Sequence, residues 1–187
     1  MIRIGIVGLG FMAATHLKAY RHVEGVRIAA LCNPSGRNLD GDFSRVAGNV
    51  GDPNPLRLAG AQRLLGRVVP AYTDLDTMLA EQRPDAVVIA SRDDTHAAIA
   101  CRALEAGADV IVEKPMATEP AGLAAMLEAE RRTGRAIRVT FNYRYAPYAG
   151  RVRELLAAGV IGDILSVDFH WYLDRDHGAD YFRRWHR

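Results

Sequence analysis

The chain has 187 residues, enough for one complete domain and part of a second. Hydrophobic residues make up 49% and charged residues 25%, which is typical of a globular protein. No apolar run approaches the ~20 residues of a membrane span, so we expect no membrane partner. The net charge of +2 argues neither for nor against a polyanionic partner. The chain lacks basic runs with interleaved aromatic residues, which disfavours binding of nucleic acid.

The cysteines and the first residues indicate the cellular setting. Cys32 and Cys101 are too few for a disulfide framework and lie in apolar segments, so we expect both to be reduced core residues. The chain begins with an apparent core strand rather than a signal peptide, and we therefore expect a cytoplasmic protein.

The start of the chain predicts a strand, a tight loop and a helix. Residues 2–7 form a β-branched run typical of a strand buried on both faces. A G-x-G-x-x-A sequence follows, in which Gly8 allows the turn, Gly10 leaves room for a pyrophosphate and Ala13 permits close helix packing. The helix N-terminus offers N–H groups to phosphates. We predict dinucleotide binding, with an ordinary glycine turn as the alternative, at Gly8, Gly10, Phe11 and Met12.

The second predicted strand covers residues 26–32, and the loop that follows it indicates which dinucleotide binds. A carboxylate normally binds the ribose hydroxyls of NAD at this point, but this chain has Asn33. Ser35 and Arg37 offer a hydroxyl and a guanidinium to a 2′-phosphate. The pattern favours NADP over NAD. The alternative is that Asn33 binds NAD by neutral hydrogen bonds and Arg37 is a solvated loop residue.

The next part of the chain alternates between helical and strand patterns. After an irregular stretch, the patterns predict helices at 56–65, 74–82 with Thr73 as N-cap, 95–106 and 119–133, and strands at 86–90, 109–112 and 136–141. Polar residues follow the strands, where ligands bind in such sheets. The alternation predicts an α/β fold with a Rossmann-type doubly wound parallel sheet.

The pattern changes after Pro147. Residues 148–158 predict a helix, and residues 163–173 alternate between apolar and polar side chains, as in an antiparallel sheet with one polar face. We therefore predict a dinucleotide-binding domain over residues 1–120, with its last strand at 136–141. Residues 142–187 then begin an incomplete α+β domain for substrate binding or oligomerisation.

Four motifs together resemble a known family. They are Gly8–Ala13, Thr95-His96, Glu113-Lys114-Pro115 and Asn142-Tyr143-Arg144, and they occur in the order found in the Gfo/Idh/MocA oxidoreductases. The resemblance covers essentially the whole chain, and the Glu-Lys-Pro triplet after a valine-rich strand is its most specific part. It implies a nicotinamide cofactor, with Lys114 near substrate and nicotinamide, and with Glu113 and Pro115 shaping the nicotinamide pocket.

The chemistry of Lys114 is consistent with that implication. Oxidation of a secondary alcohol requires loss of the hydroxyl proton as hydride leaves, and an ammonium group can orient the oxygen and stabilise its developing charge. Lys114 is therefore the candidate catalytic residue. The alternative is a surface lysine paired with Glu113.

The resemblance also suggests cofactor contacts at two further points. The family usually has proline where this chain has Arg92, which is an alternative contact for a phosphate or a substrate carboxylate. His96 is a candidate for cofactor contact or for support of the site. The residues predicted to contact the cofactor follow two strands. They are Ser91, Arg92, Thr95 and His96 after the strand at 86–90, and Asn142 and Arg144 after the strand at 136–141, at the nicotinamide end.

The end of the chain is dense in aromatic, histidine and arginine side chains, which suit sugar or polyol binding. The candidates are Tyr143, His170, Trp185 and His186, with packing or a domain interface as the alternative. The spacing of His170, His177 and His186 fits no metal-site pattern, so we predict no metal.

The combined prediction is an NAD(P)-dependent oxidoreductase that transfers hydride between nicotinamide and a sugar, inositol or related polyol. The alternatives are a redox-assisted glycoside hydrolase of the same family and a non-catalytic dinucleotide-binding regulator or truncated remnant. Family members continue well beyond this length and supply a later proton-transfer histidine, so we expect a fragment of a longer enzyme that forms homo-oligomers at full length.

Overall fold

A six-stranded parallel sheet organises the chain. The computed structural model describes residues 1–43, 46 and 68–172. The strands are β1 (Ile2–Val7), β2 (Val26–Cys32), β3 (Ala71–Tyr72), β4 (Ala86–Ile89), β5 (Asp109–Val112) and β6 (Ile137–Val139). Their order is β3-β2-β1-β4-β5-β6, and every adjacent pair is parallel. The chain order therefore reverses between β1 and β4, which confirms the doubly wound sheet.

Helices connect the strands and follow the expected apolar periodicity. They are α1 (Phe11–Tyr20), α2 (Leu75–Gln82), α3 (His96–Glu105), α4 (Pro120–Thr133) and α5 (Pro147–Ala157), with short 3₁₀ turns at Asp93–Thr95 and Asn142–Tyr145. None of the helices in the described ranges is long and apolar enough to cross a membrane.

The N-terminus of α2 corrects one prediction. The structure makes Asp74, not Thr73, the N-cap, because the Asp74 carboxylate accepts a hydrogen bond of 2.8 Å from the Thr77 N–H. A carboxylate and a hydroxyl are both good caps, and the sequence alone does not separate adjacent candidates. The predicted start of α3 at Thr95 is also early, since a 3₁₀ turn precedes the helix.

Apolar side chains cover both faces of the sheet. On β4, Val87 and Ile89 pack on one face with Leu104 and Met126, whereas Val88 packs on the other with Leu17 of α1. All six of these residues are almost fully buried. This two-sided burial explains why the central strands read as continuous apolar runs in the sequence.

The described residues fall into two compact units. Residues 1–43, 46 and 68–140 form the first, and residues 141–172 form the second. In the second unit, the Tyr143 and Trp171 rings lie 5.0 Å apart between centroids, and Arg153 Nη1 donates to the Arg144 carbonyl at 2.8 Å. The domain bounds given by the sequence stay a prediction.

The predicted antiparallel sheet is not present among the described residues. Residues 164–172 alternate in sequence between apolar and polar side chains, but they form no strand. Alternation records which side chains share a face, whereas a strand also needs a neighbour to pair its backbone. The expected helix at 56–65 and residues His177, Trp185 and His186 lie outside the described residues.

Candidate functional site

The loops that carry the predicted site residues meet at one edge of the sheet. In the parallel register, Val7 of β1 pairs with Cys32 of β2 and with Ile89 of β4, and Ile89 pairs with Val112 of β5. Gly8, Asn33 and Glu113 directly follow three of these strand ends, and Ser91 follows the fourth after Ala90. These residues therefore lie at the carboxyl edge, on either side of the point where the strand order reverses. Ligands bind at this place in doubly wound sheets.

Gly8 closes the turn after β1 against the loop after β4. Its φ is +85°, and a Cβ built on its backbone would lie 2.5 Å from both Cα and N of Ser91. Its N–H donates to the Cys32 carbonyl at 2.9 Å. Because the space and the backbone conformation both exclude a side chain, glycine is required here for the tight turn.

Gly10 differs, because its environment is open. A Cβ at Gly10 would meet no atom within 4 Å, and the residue is the N-cap of α1. No side chain caps α1, and its first turn has no acidic residue. The helix therefore presents backbone N–H groups and the positive end of its dipole to open space, which fits a phosphate group. Ala13 is fully buried against the sheet, as predicted.

The loop after β2 is organised by its asparagines. The Asn33 side-chain amide donates to the Arg37 carbonyl at 2.7 Å, and the Gly36 N–H donates to the Asn33 carbonyl at 2.9 Å. Ser35 and Arg37 are exposed. Asn38, which the sequence did not single out, donates from Nδ2 to the Leu9 carbonyl at 2.7 Å. This bond ties the ribose-side loop to the glycine loop.

The loop after β4 is held internally. Ser91 Oγ lies 2.7 Å from Thr95 Oγ1, which itself donates to the Arg92 carbonyl at 2.7 Å. The Arg92 guanidinium is exposed and pairs with Asp94 at 2.8 Å. These contacts shape the loop, and a role for its residues in cofactor binding stays a prediction.

His96 connects this loop to the Glu-Lys-Pro segment. The side chain is fully buried; its Nδ1 lies 2.8 Å from the Pro115 carbonyl oxygen, and its Nε2 lies 3.3 Å from the Ser91 carbonyl oxygen. Both partners are carbonyl oxygens, which only accept, so the shorter contact is a hydrogen bond when the ring carries its proton on Nδ1. This burial favours support of the site over direct cofactor contact, the two roles that the sequence left open.

Glu113 is a buried carboxylate with several donors. Its Oε1 lies 2.9 Å from Nε2 of His16, a residue of α1 that the sequence did not single out. Burial raises the pKa of Glu113, but hydrogen bonds from His16, Thr140 and the Lys114 N–H outweigh it and hold the pKa below its ordinary value of 4.5. Glu113 is therefore ionised at neutral pH.

Lys114 is exposed at the same edge, directly after Glu113. Across the described part of the chain, no ion pair joins Lys114 to Glu113, whose carboxylate is bound by His16 instead. The peptide bond from Lys114 to Pro115 is cis. The geometry therefore does not support the alternative of a surface lysine paired with its neighbour.

The remaining candidates lie in the second unit. Asn142, Tyr143 and Arg144 are exposed in the 3₁₀ turn, and His170 is exposed with Nε2 3.0 Å from Asp168 Oδ1. Their roles at the nicotinamide end and in substrate binding stay predictions. Among the described residues, no cluster of three metal-ligating side chains is found.

Comparison with known proteins identifies the family. Residues 49–141 match the family GFO_IDH_MocA, described as an oxidoreductase family with an NAD-binding Rossmann fold. The chain belongs to the Gfo/Idh/MocA oxidoreductase family. Within this family, the putative oxidoreductase YteT of Bacillus subtilis is 40% identical over 140 residues, which are 73% of this chain and 33% of that protein.

Other known proteins are similar over more of the chain. Inositol 2-dehydrogenase 2 of Saccharopolyspora erythraea is 31% identical over 89% of this chain and 44% of its own length. Scyllo-inositol dehydrogenase from Lactobacillus casei, solved with NAD(H) and scyllo-inositol, is 25% identical with a TM-score of 0.69, over 88% of this chain and 43% of that chain. Glycosyl hydrolase family 109 protein 2 of Akkermansia muciniphila is 28% identical over 88% of this chain and 32% of its own length. The chain thus spans less than half the length of these relatives.

Proposed function

We propose that the chain binds a nicotinamide dinucleotide at the carboxyl edge of the sheet and takes part in hydride transfer to or from a sugar or polyol. The observation that carries the proposal is the uncapped N-terminus of α1 at Gly10, open to solvent and next to the strand-end loops. Backbone N–H groups of that turn would hold the pyrophosphate, and the loop after β2 would hold the adenosine ribose. When bound, the nicotinamide would supply the hydride acceptor or donor.

In this proposal Lys114 orients the reacting oxygen. Its ammonium group, exposed at the end of β5, would donate a hydrogen bond to the substrate hydroxyl or carbonyl and stabilise negative charge on that oxygen. A polyol or sugar substrate is supported by relatives named inositol 2-dehydrogenase and by the structure solved with scyllo-inositol. A homo-oligomer and a cytoplasmic location of the full-length protein stay predictions.

Replacement of Gly10 by valine tests the dinucleotide site. The new side chain would fill the open space at the head of α1, and we expect NADH affinity to fall by about tenfold to 100-fold, since an overlap of this kind costs ~1–3 kcal/mol. Fluorescence titration with NADH measures it. Gly150→Val is the matched control, because Gly150 is also open but lies on α5, and it should bind as wild type. Wild-type affinity in the Gly10 variant would contradict the site.

Arg37 tests the preference for NADP. If the Arg37 guanidinium holds a 2′-phosphate, NADPH binds more tightly than NADH and Arg37→Ala removes the difference, by about tenfold or more for a charged hydrogen bond. Arg27→Ala is the control, since Arg27 is an exposed arginine near the opposite end of β2. Equal or tighter NADH binding by wild type would identify NAD as the cofactor and Arg37 as a loop residue.

The glycoside hydrolase alternative is supported by the family 109 relative. It predicts release of free sugar from a glycoside with no net change in NADH absorbance. Oxidation of a polyol predicts accumulation of NADH in proportion to product. One assay that follows both quantities on the same sample distinguishes the two reactions.

A further inference from the structure

The carboxylate of Glu113 connects three segments of the first unit. His16 lies on α1 within two turns of the glycine loop, and its Nε2 donates to Glu113 Oε1 at 2.9 Å. Thr140, directly after β6, also helps to lower the pKa of Glu113, and its hydroxyl donates to the Val112 carbonyl at 3.4 Å. The backbone N–H of Lys114, the next residue in the chain, lowers the pKa of Glu113 as well. The helix that begins at Gly10 is thereby joined to the backbone of the candidate catalytic lysine.

The environment of this carboxylate fixes its orientation. Glu113 is 7% exposed, so each of its donors replaces water that has little access. The His16 ring is held in turn by Tyr20, whose ring stacks on it with centroids 6.0 Å apart and planes inclined by 21°. A buried ionised group of this kind tolerates the loss of a donor poorly, because its charge is then left partly unpaired.

The residue on the other side of Lys114 is held as well. The Pro115 carbonyl accepts from Nδ1 of the fully buried His96. Lys114 therefore lies between two fixed neighbours, one anchored to α1 through His16 and the other to the head of α3 through His96. The Lys114 side chain is exposed at the edge of the sheet where the loops meet.

We propose that His16 and Glu113 are positioning residues that couple occupancy of the dinucleotide site at the head of α1 to the placement of the Lys114 amine. Phosphates held by the N–H groups of Gly10–Ala13 restrain α1, and the His16–Glu113 hydrogen bond passes this restraint to the Lys114 backbone. The inference rests on the proposed function, since it requires that a dinucleotide binds at α1.

The low lysine content of the chain makes the coupling between the dinucleotide site and Lys114 measurable. Its only two lysines are Lys18 and Lys114, so an amine-acylating reagent reports on Lys114 with Lys18 as an internal standard. Lys18 is exposed in the last turn of α1. In wild type we expect saturating NADH to slow acylation of Lys114 by about fivefold to 150-fold, the usual range of coupling between sites, and to leave the acylation rate of Lys18 unchanged. Mass spectrometry of the digested chain measures both rates.

Substitutions of His16 test whether the His16–Glu113 hydrogen bond carries the coupling. When NADH saturates the His16→Ala variant, we expect it to slow acylation of Lys114 by less than about twofold. Ordinary coupling between sites would slow it by at least about fivefold. His16→Gln keeps an N–H donor at the position of Nε2 and should restore protection. His22→Ala, an exposed histidine just past α1, is the matched control and should behave as wild type.

The outcomes separate the two proposals. A folded wild-type chain that binds no NADH overturns the proposed function and this inference with it. Binding by wild type with equal protection of Lys114 in His16→Ala overturns the inference alone. If His16→Ala fails to melt cooperatively, Glu113→Met takes its place, because it keeps the length of the side chain but offers no oxygen to accept from His16, and full protection of Lys114 in that variant overturns the inference.

Discussion

Replacement of Gly8 by alanine is expected to lower the free energy of unfolding by about 2 to 6 kcal/mol. The residue adopts a φ of +85°, and an added Cβ would lie 2.5 Å from Cα and N of Ser91, which belong to the backbone of the neighbouring loop. Strained left-handed backbone and overpacking each cost about 1–3 kcal/mol, and neither is relieved by a rotamer change. The loop after β4 would have to move away from β1.

Urea unfolding followed by circular dichroism measures this loss. Gly10→Ala is the control, because it introduces the same methyl group two residues away in open space at a φ of −97°. We expect its unfolding free energy to change by less than about 1 kcal/mol, the size of a change at an N-cap. Equal destabilisation by the two substitutions would mean that the turn after β1 is not packed as described.

Replacement of Lys114 by alanine is expected to lower turnover by about 100-fold or more while NADH affinity changes by less than about twofold. The amine is proposed to act on the substrate oxygen during the reaction, and loss of such a group typically costs this much. It is not proposed to hold the dinucleotide, which we propose is bound by the glycine loop and α1. The substitution therefore separates chemistry from cofactor binding.

Formation of NADH from NAD⁺ with a panel of inositols and sugars measures turnover, and NADH fluorescence measures affinity. Lys18→Ala removes the other lysine of the chain from the last turn of α1 and should leave both quantities unchanged. Wild-type turnover in the Lys114 variant would remove Lys114 from the mechanism. A large loss of NADH affinity would instead assign it to cofactor binding.

The sheet was largely predictable because its central strands have unambiguous patterns. The bounds of β2 and β5 agree with the sequence prediction, since a continuous apolar run between turn residues leaves little choice of length. The edge strand β3 was not predicted. It has two residues, Ala71 and Tyr72, and two residues carry no periodicity. Its pairing with β2 depends on the tertiary fold.

The geometry of the candidate site was predictable where a local motif fixes the backbone. Gly8 and Gly10 follow from the strand–loop–helix pattern, and the structure gives each a physical reason. His16 was not found, because its partner Glu113 lies 97 residues away in sequence and only the sheet topology brings them together. Asn38 is similar, since its bond to the Leu9 carbonyl joins two loops across the sheet edge. A histidine beside the apolar face of α1 was the only available signal.

Titration of NADH and NADPH into the 187-residue chain is the most direct test of dinucleotide binding at the carboxyl edge of the sheet. Circular dichroism on the same sample establishes that the chain is folded. We expect saturable enhancement of reduced-nicotinamide fluorescence by a chain that melts cooperatively. A folded chain that binds neither NADH nor NADPH would contradict it.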